Sequence, residues 1–495
     1  MDLIKRQGFF NSLILYAGTA LGFFNLIILF QRFLTIEEIG FFSLMIAISL
    51  LYAQIASLGI SNVILKYFPY YRSDDKRHAG FATLIAIWSV VSFAIFTCIF
   101  LFFKNPIINF YRENKGATLL VRYFYYLIPL SFLTMVFAVL ESMALTVFKN
   151  VFSSFLREVV LRLFTLIAVL FIAADIINYR DFLWIYIGAN VVIILMLSAS
   201  ITKGRHFKFA RITPKLSSER NNFISYGVFT VLSGSSFVMI QNLDIIMLSL
   251  LTVESLSFVG IYATFFSIAV VISLPAKAMS RTSLQIVAQS WATNDVPKID
   301  KVYYKTSVVQ MLIGCILFIG LIINRPFIIM LLHKPQYNDY FNVFIIIGLA
   351  FLVDMTGGLN GYIMNVSKYY RLTTLFIVSA VVFCVLSNWV LIPRIGMMGA
   401  ALSYLLTMVF LNIAYSLFIK IKFGLQPFGK AHLLIAGISL ATFLVGIYLP
   451  AMANLYLNAI YRSSIILIVY SFLAYFFNIS EDINLVFNKF ITKRK

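Results

Sequence analysis

The sequence predicts an all-α polytopic membrane protein of about fourteen transmembrane helices. They are arranged as two six-helix lobes in parallel pseudo-twofold repeat, with two more helices at the C-terminal end. Three observations lead there. Of 495 residues, 61% are hydrophobic and 12% charged, whereas a soluble domain carries about a quarter charged residues. Apolar runs of about 20 residues, each long enough to cross a 30 Å hydrocarbon layer as a helix, recur from end to end. Finally, LTIEEIGFF at 34–42 is written nearly again as LTVESLSFVGIY at 251–262.

In chain order the spans are 9–31, 39–62, 80–103, 123–146, 157–177, 182–201 and 223–249. They continue as 258–281, 305–324, 339–361, 373–392, 397–419, 431–451 and 460–477. The first is too long for a signal peptide and lacks a small-residue cleavage site, so it reads as a helix of the mature chain. Residues 282–304 mix Leu284, Ile286, Val287 and Trp291 with polar side chains, and read as an amphipathic cytoplasmic helix on the membrane surface that moves with the eighth span. Cys98, Cys315 and Cys384 all fall inside apolar spans, a placement that supports neither a disulfide framework nor a metal site.

The net charge of +20 is explained by topology rather than by nucleic acid. With the N-terminus inside, about 28 of the 39 basic residues lie on the inner side and about 10 on the outer, with Lys277 within the eighth span, as the positive-inside rule requires. Both termini are then cytoplasmic.

A slide of 217 positions aligns Asn25-Leu26 with Asn242-Leu243, Ile28 with Ile245, and Leu34-Thr35 with Leu251-Thr252. After a three-residue insertion, Gly40-Phe41-Phe42 meets Gly260-Ile261-Tyr262. Each copy opens a block of six spans, and an even number makes the repeats parallel. The expected organisation is a lobe over 1–201, a basic cytoplasmic linker over 202–222 and a second lobe over 223–420. Residues 421–495 hold the last two spans and a basic tail.

Several stretches resemble the multidrug/oligosaccharidyl-lipid/polysaccharide exporter superfamily, within it the O-antigen and capsule repeat-unit flippases. They are LTIEEIGFFSL followed by SLGISNVILKYF (57–68), LPAKAMSRTSLQIVAQSWATNDVPKIDKVYYK (274–305), DMTGGLNGYIMNVSKYYR (354–371) and LIPRIGMMGAALSYLL (391–406). The resemblance implies two lobes in a V around a polar cavity open to either side in turn. It implies a bacterial inner-membrane flippase that moves an undecaprenyl-pyrophosphate-linked oligosaccharide for surface polysaccharide synthesis. Expected partners are that lipid-linked sugar, the membrane lipids and the polysaccharide polymerase or export machinery, with no nucleic acid. A cation-coupled drug or metabolite antiporter and a lipid II flippase are rival readings within the superfamily. A membrane glycosyltransferase or polymerase is the rival outside it, disfavoured by the short outer loops.

Ionisable and polar residues inside spans are the site candidates. Asp354 precedes Gly357, Gly358, Asn360 and Gly361; it binds a coupling proton or sodium ion or a sugar hydroxyl, or accepts backbone bonds freed at a glycine break. Asp244, beside Asn242, faces the cavity or lies near hydrated headgroups. Lys277 follows Pro275 and precedes Arg281 by about one turn; both suit a pyrophosphate, or snorkel to the inner headgroups. Arg162 and Glu158 stand four apart and satisfy each other as an ion pair, or the arginine reaches the cargo. Asn25 and Asn242, equivalent in the repeat, line the cavity walls or bond between helices. The four histidines sit singly and no phosphate-cradling glycine loop is present, so neither metal, nucleotide nor acid–base catalysis is expected.

Overall fold

The computed structural model describes residues 2–73, 75, 77–113, 118–147, 149–203, 208–234 and 236–479, without the side chains of 2–9, 12, 112–113, 232–238 and 281–282. Every regular element among them is helical. Two compact units divide the chain, residues 1–264 and 265–495.

The first unit opens with α1 (Asp2–Phe23), which continues through a π-helical stretch, Phe24–Leu29, to Phe33. Then come α2 (Ile36–Ala56), α3 (Ile60–Tyr71), α4 (Phe81–Phe102) and α5 (Leu127–Thr146). A second π-helical turn, Leu156–Val160, leads into α6 (Leu161–Ala173), followed by α7 (Tyr179–Lys203), α8 (Arg220–Gly234) and α9 (Ser236–Leu251). Thr35 starts α2 with a capping box: its hydroxyl accepts from the Glu38 N–H at 3.2 Å, and the Glu38 carboxylate accepts from the Thr35 N–H at 2.8 Å. Two orphan N–H groups are thereby satisfied at a helix end. Ile60, Phe68, Phe81, Phe137, Leu197 and Phe223 share one buried cluster, which ties α3, α4, α5, α7 and α8 together.

Helix α10 (Ser255–Ala292) begins in the first unit and enters the second. It is followed by α11 (Val296–Ile323), α12 (Phe341–Thr356), α13 (Asn360–Val366), α14 (Tyr370–Ile395), α15 (Met397–Phe423), α16 (Lys430–Tyr448) and α17 (Leu455–Phe476). Ile319 and Ile323 of α11 pack with Ile435, Ile438, Ile466 and Tyr470, so the last two spans bury one face against the ninth. Their other faces carry Leu433 at 78% exposure and Ile468 at 67%. Exposed aliphatic side chains along whole helices are what a hydrocarbon solvent asks for.

Among the described residues eleven helices are long and apolar enough to cross a membrane, or up to twelve if the bent pair α12 and α13 is one span. Two of the fourteen expected spans fall outside that count. The fifth carries Arg157, Glu158 and Arg162 within one turn and a half, too many charges for an apolar window. The seventh includes residue 235, which lies outside the described residues. Residues 282–292 continue α10 without interruption, and 296–304 form the start of α11. The break comes at Asn294, whose φ is +54°, and Asp295 then caps α11 by accepting from the Lys298 N–H at 3.2 Å.

The repeated connectors meet. A Cβ on Gly40 would lie 1.9 Å from the Leu256 carbonyl oxygen, and one on Gly260 would lie 2.3 Å from that of Ile36. Gly40 and Gly260 are equivalent positions of the repeat. The two contacts belong to one crossing between the starts of α2 and α10. Only glycine lets the backbones approach so closely. Ser257 donates to the Glu37 carboxylate at 2.7 Å beside the crossing.

Candidate functional site

In the second unit α12 stops at Thr356 and α13 resumes at Asn360, bent by 46°. Gly358 occupies the left-handed region with φ +64°, which a side chain would penalise. The break exposes polar groups in an apolar setting, and they pair among themselves. Asn360 donates from Nδ2 to Asn412 Oδ1 at 2.7 Å and accepts on Oδ1 from the Gly361 N–H at 2.6 Å. Asn412, on α15, donates to the Met408 carbonyl at 2.9 Å. Asp354, half-buried in the last turn of α12, lies near Asn412 and within the electrostatic reach of Lys277 on α10. The result is a polar cluster at the break, built on the bonded pair Asn360 and Asn412 with one carboxylate and one cation near it.

Asn412 faces a cavity of about 530 Å³ as well, lined in addition by Thr356, Gly357, Val409, Lys420, Gln426 and Phe428. Its walls are mostly aliphatic, with Lys420 and Gln426 as the polar groups near the start of the 424–429 segment.

In the first unit Arg162 stands in the first turn of α6, just after the π-helical turn Leu156–Val160 and against α1. Its Nη2 lies 2.7 Å from the Glu158 carboxylate, and Nη1 donates to the carbonyl oxygen of Gly18. Asn25 donates from Nδ2 to the Arg162 carbonyl at 2.8 Å. Its buried Oδ1 finds no partner among the described residues. The Arg162 side chain keeps 32% of its surface exposed and Glu158 keeps 23%, so the pair is matched without being sealed. π-Helical turns leave carbonyls out of the regular ladder and occur preferentially at functional positions. Arg157 approaches Glu141 at 3.5 Å nearby, so four charges gather on α5, α6 and the turn before α6.

The other expected residues are dispersed. Asp244 is fully buried and accepts a hydrogen bond from the Tyr262 hydroxyl at 3.0 Å. Asn242 is half-buried on α9, and Lys277 is exposed. The side chain of Arg281 lies outside the described residues. Asn412 escaped sequence reasoning, since a neutral amide within an apolar run has no distinctive spacing. So did Gln31, which is buried and donates to Thr264 Oγ1 at 3.1 Å.

The family model for polysaccharide biosynthesis proteins matches residues 4–284, more than half of the chain. The protein belongs to this family. Asn25, Arg162, Asn242, Asp244, Lys277 and Arg281 lie in the matched region, whereas Asp354 and Asn360 lie beyond it. No curated protein sequence matches the chain closely. Among solved structures, the lipid II flippase MurJ in an inward closed conformation matches with a TM-score of 0.77 at 14% identity, over 94% of this chain and 98% of that one. An inward-facing multidrug resistance MATE family transporter of the MOP superfamily matches with a TM-score of 0.61 at 13% identity, over 83% and 94%. A MOP superfamily transporter from Pyrococcus furiosus matches with a TM-score of 0.56 at 13% identity, over 85% and 96%. The chain is thus a polysaccharide biosynthesis family member with many helices long and apolar enough to span a membrane, in a fold shared with these MurJ and MATE structures.

Proposed function

We propose that this family member is a flippase of the bacterial inner membrane, with both termini in the cytoplasm. It moves undecaprenyl-pyrophosphate-linked oligosaccharide repeat units outward by alternating access, for O-antigen, capsule or exopolysaccharide synthesis. The observation that carries the reading is the polysaccharide biosynthesis match on a chain with an exporter fold.

The chemistry is consistent with that cargo. An isoprenoid tail stays in lipid, while a pyrophosphate and its sugars would strand charges and hydroxyls in hydrocarbon at several kcal/mol each. Arg162 and Lys277, each near one carboxylate, are the cations offered to the pyrophosphate, with Arg281 beside Lys277 on the same helix. An anionic head competes with the resident carboxylate for the cation, so the displaced carboxylate takes up a proton or water. Asn25, Asn242 and Asn360 supply amide groups for sugar hydroxyls. The lobes 1–201 and 223–420, joined by the linker 202–222, rock about the Gly40–Gly260 crossing, with 421–495 flanking the second lobe.

The cluster of Asp354, Asn412 and Asn360 favours a second reading, because carboxylate and amide oxygens suit a proton or a hard cation such as sodium. Such an ion drives the flippase cycle or, in a MATE-like antiporter, the export of another solute. A test is to delete the gene in its host and probe lipid-linked oligosaccharide with a membrane-impermeant glycosidase from either side. The flippase reading expects cargo stranded on the cytoplasmic face and rescue by the intact gene. Unchanged sidedness would overturn it.

A further inference from the structure

The last two spans, α16 and α17, have no counterpart in the repeat, and the chemistry above gives them no task. We propose that His432 is a positioning residue that latches this helix pair to the break between α12 and α13. His432 stands in the first turn of α16 and is 7% exposed. Its Nδ1 accepts from the Gly429 N–H at 3.3 Å. With a lone pair committed there, the neutral ring carries its proton on Nε2, which lies 2.9 Å from Ser307 Oγ. Ser307, fully buried on α11, donates in turn to the Thr356 carbonyl at 2.6 Å. The direction is thus consistent along the chain: Nε2–H donates to Ser307 Oγ, and Ser307 O–H donates to Thr356.

The acceptor is what gives this line its significance. Thr356 is the last residue of α12, and the final carbonyls of a helix have no intrahelical partner. Ser307 supplies one at the break itself. It also packs there: a Cβ on Gly358 would lie 3.0 Å from Ser307 Cβ. The His432 ring is wedged edge-on between Tyr304 at 6.0 Å and Phe428 at 5.7 Å. Phe428, Thr356 and Gly357 all line the 530 Å³ cavity. His432 therefore joins the segment before α16, the helix α11 and the bend of the tenth span at the wall of one cavity. A simple packing histidine would need neither a committed tautomer nor a relay to an orphan carbonyl.

The test uses the full-length protein in lipid nanodiscs, with Cys98, Cys315 and Cys384 replaced by serine or alanine. Spin labels go on cysteines at Tyr362 of α13 and Lys430 of α16, both exposed, and the distance distribution is measured by double electron–electron resonance. His432→Phe is expected to broaden it by about twofold, since a two-state element is released from one bias. Ser307→Ala should broaden it as much, and the double variant no further. His432→Gln, whose amide N–H reaches the place of Nε2–H, should restore the native width. The latch is wrong if Ser307→Ala leaves the distribution narrow, or if His432→Gln is as broad as His432→Phe. Should His432→Phe fail to fold, Ser307→Ala and His432→Gln decide by themselves.

Discussion

Asp354 and Arg162 meet the same demand in different ways: a charge on an apolar helix has to be matched before it is tolerated. Arg162 is matched by a neighbour four residues back and by a backbone carbonyl that Gly18 presents at close range. Its planar fork serves both at once, which the point charge of lysine does not. Arg162→Lys should therefore lower the thermal unfolding midpoint of the purified protein by about 1–2 °C. Arg162→Ala, which leaves Glu158 unpaired, should lower it further; equal midpoints for the native protein and both variants would dismiss the pairing. Asp354 has an amide on α15 close by and the charge of Lys277 on α10 within electrostatic reach. Asp354→Asn preserves shape and hydrogen bonding while removing the charge. Transport should fall by at least about tenfold if the carboxylate carries an ion or balances the cargo-binding cation, with expression unchanged. A variant that transports like the native protein would reduce Asp354 to an acceptor at the helix break.

The helices themselves show how much of this was legible beforehand. The run of apolar segments exposed the spans, since nothing else makes so many windows of helical length free of charge. The duplicated connector marked Gly40 and Gly260 as equivalent, but not that they touch, which depends on how the helices cross. Substitution there is the element-scale prediction. Gly40→Ala should destabilise the protein by about 1–3 kcal/mol, as overpacked contacts do. Gly260→Ala should do the same, and the pair should be non-additive. An unperturbed unfolding transition for the double variant would mean that the helices part easily at that point. The glycine-rich stretch after Asp354 correctly announced a break, because Gly358 sits at a φ that other residues avoid. Gly358→Ala should cost about 1–2 kcal/mol from the backbone alone, read in the same melt. Less legible was the run through 282–292: its mixed polarity suggested a helix on the membrane surface, yet no glycine or proline interrupts it, so α10 simply continues.

At the scale of the whole molecule, composition identifies a polytopic membrane protein, and the order of motifs resembles that of an exporter superfamily. Partner choice inside the spans was hidden. Asn412, Ser307 and Gln31 are neutral side chains in apolar runs, and only the packing of α11, α12 and α15, or of α1 and α10, reveals what each of them bonds. Asp244 had been a candidate because it is a carboxylate within a span; Tyr262 supplies the reason it is tolerated there. The central claim is that a charged sugar head crosses while its lipid anchor stays in the bilayer. The most direct measurement is reconstitution into liposomes containing a fluorescent, nitrobenzoxadiazole-tagged undecaprenyl-pyrophosphate oligosaccharide, followed by external dithionite. Without the protein only the outer-leaflet half of the probe should be quenched. With it, quenching should proceed towards completion, and more slowly with Arg162→Ala. Quenching that stops at one half in sealed vesicles holding folded protein would contradict the account.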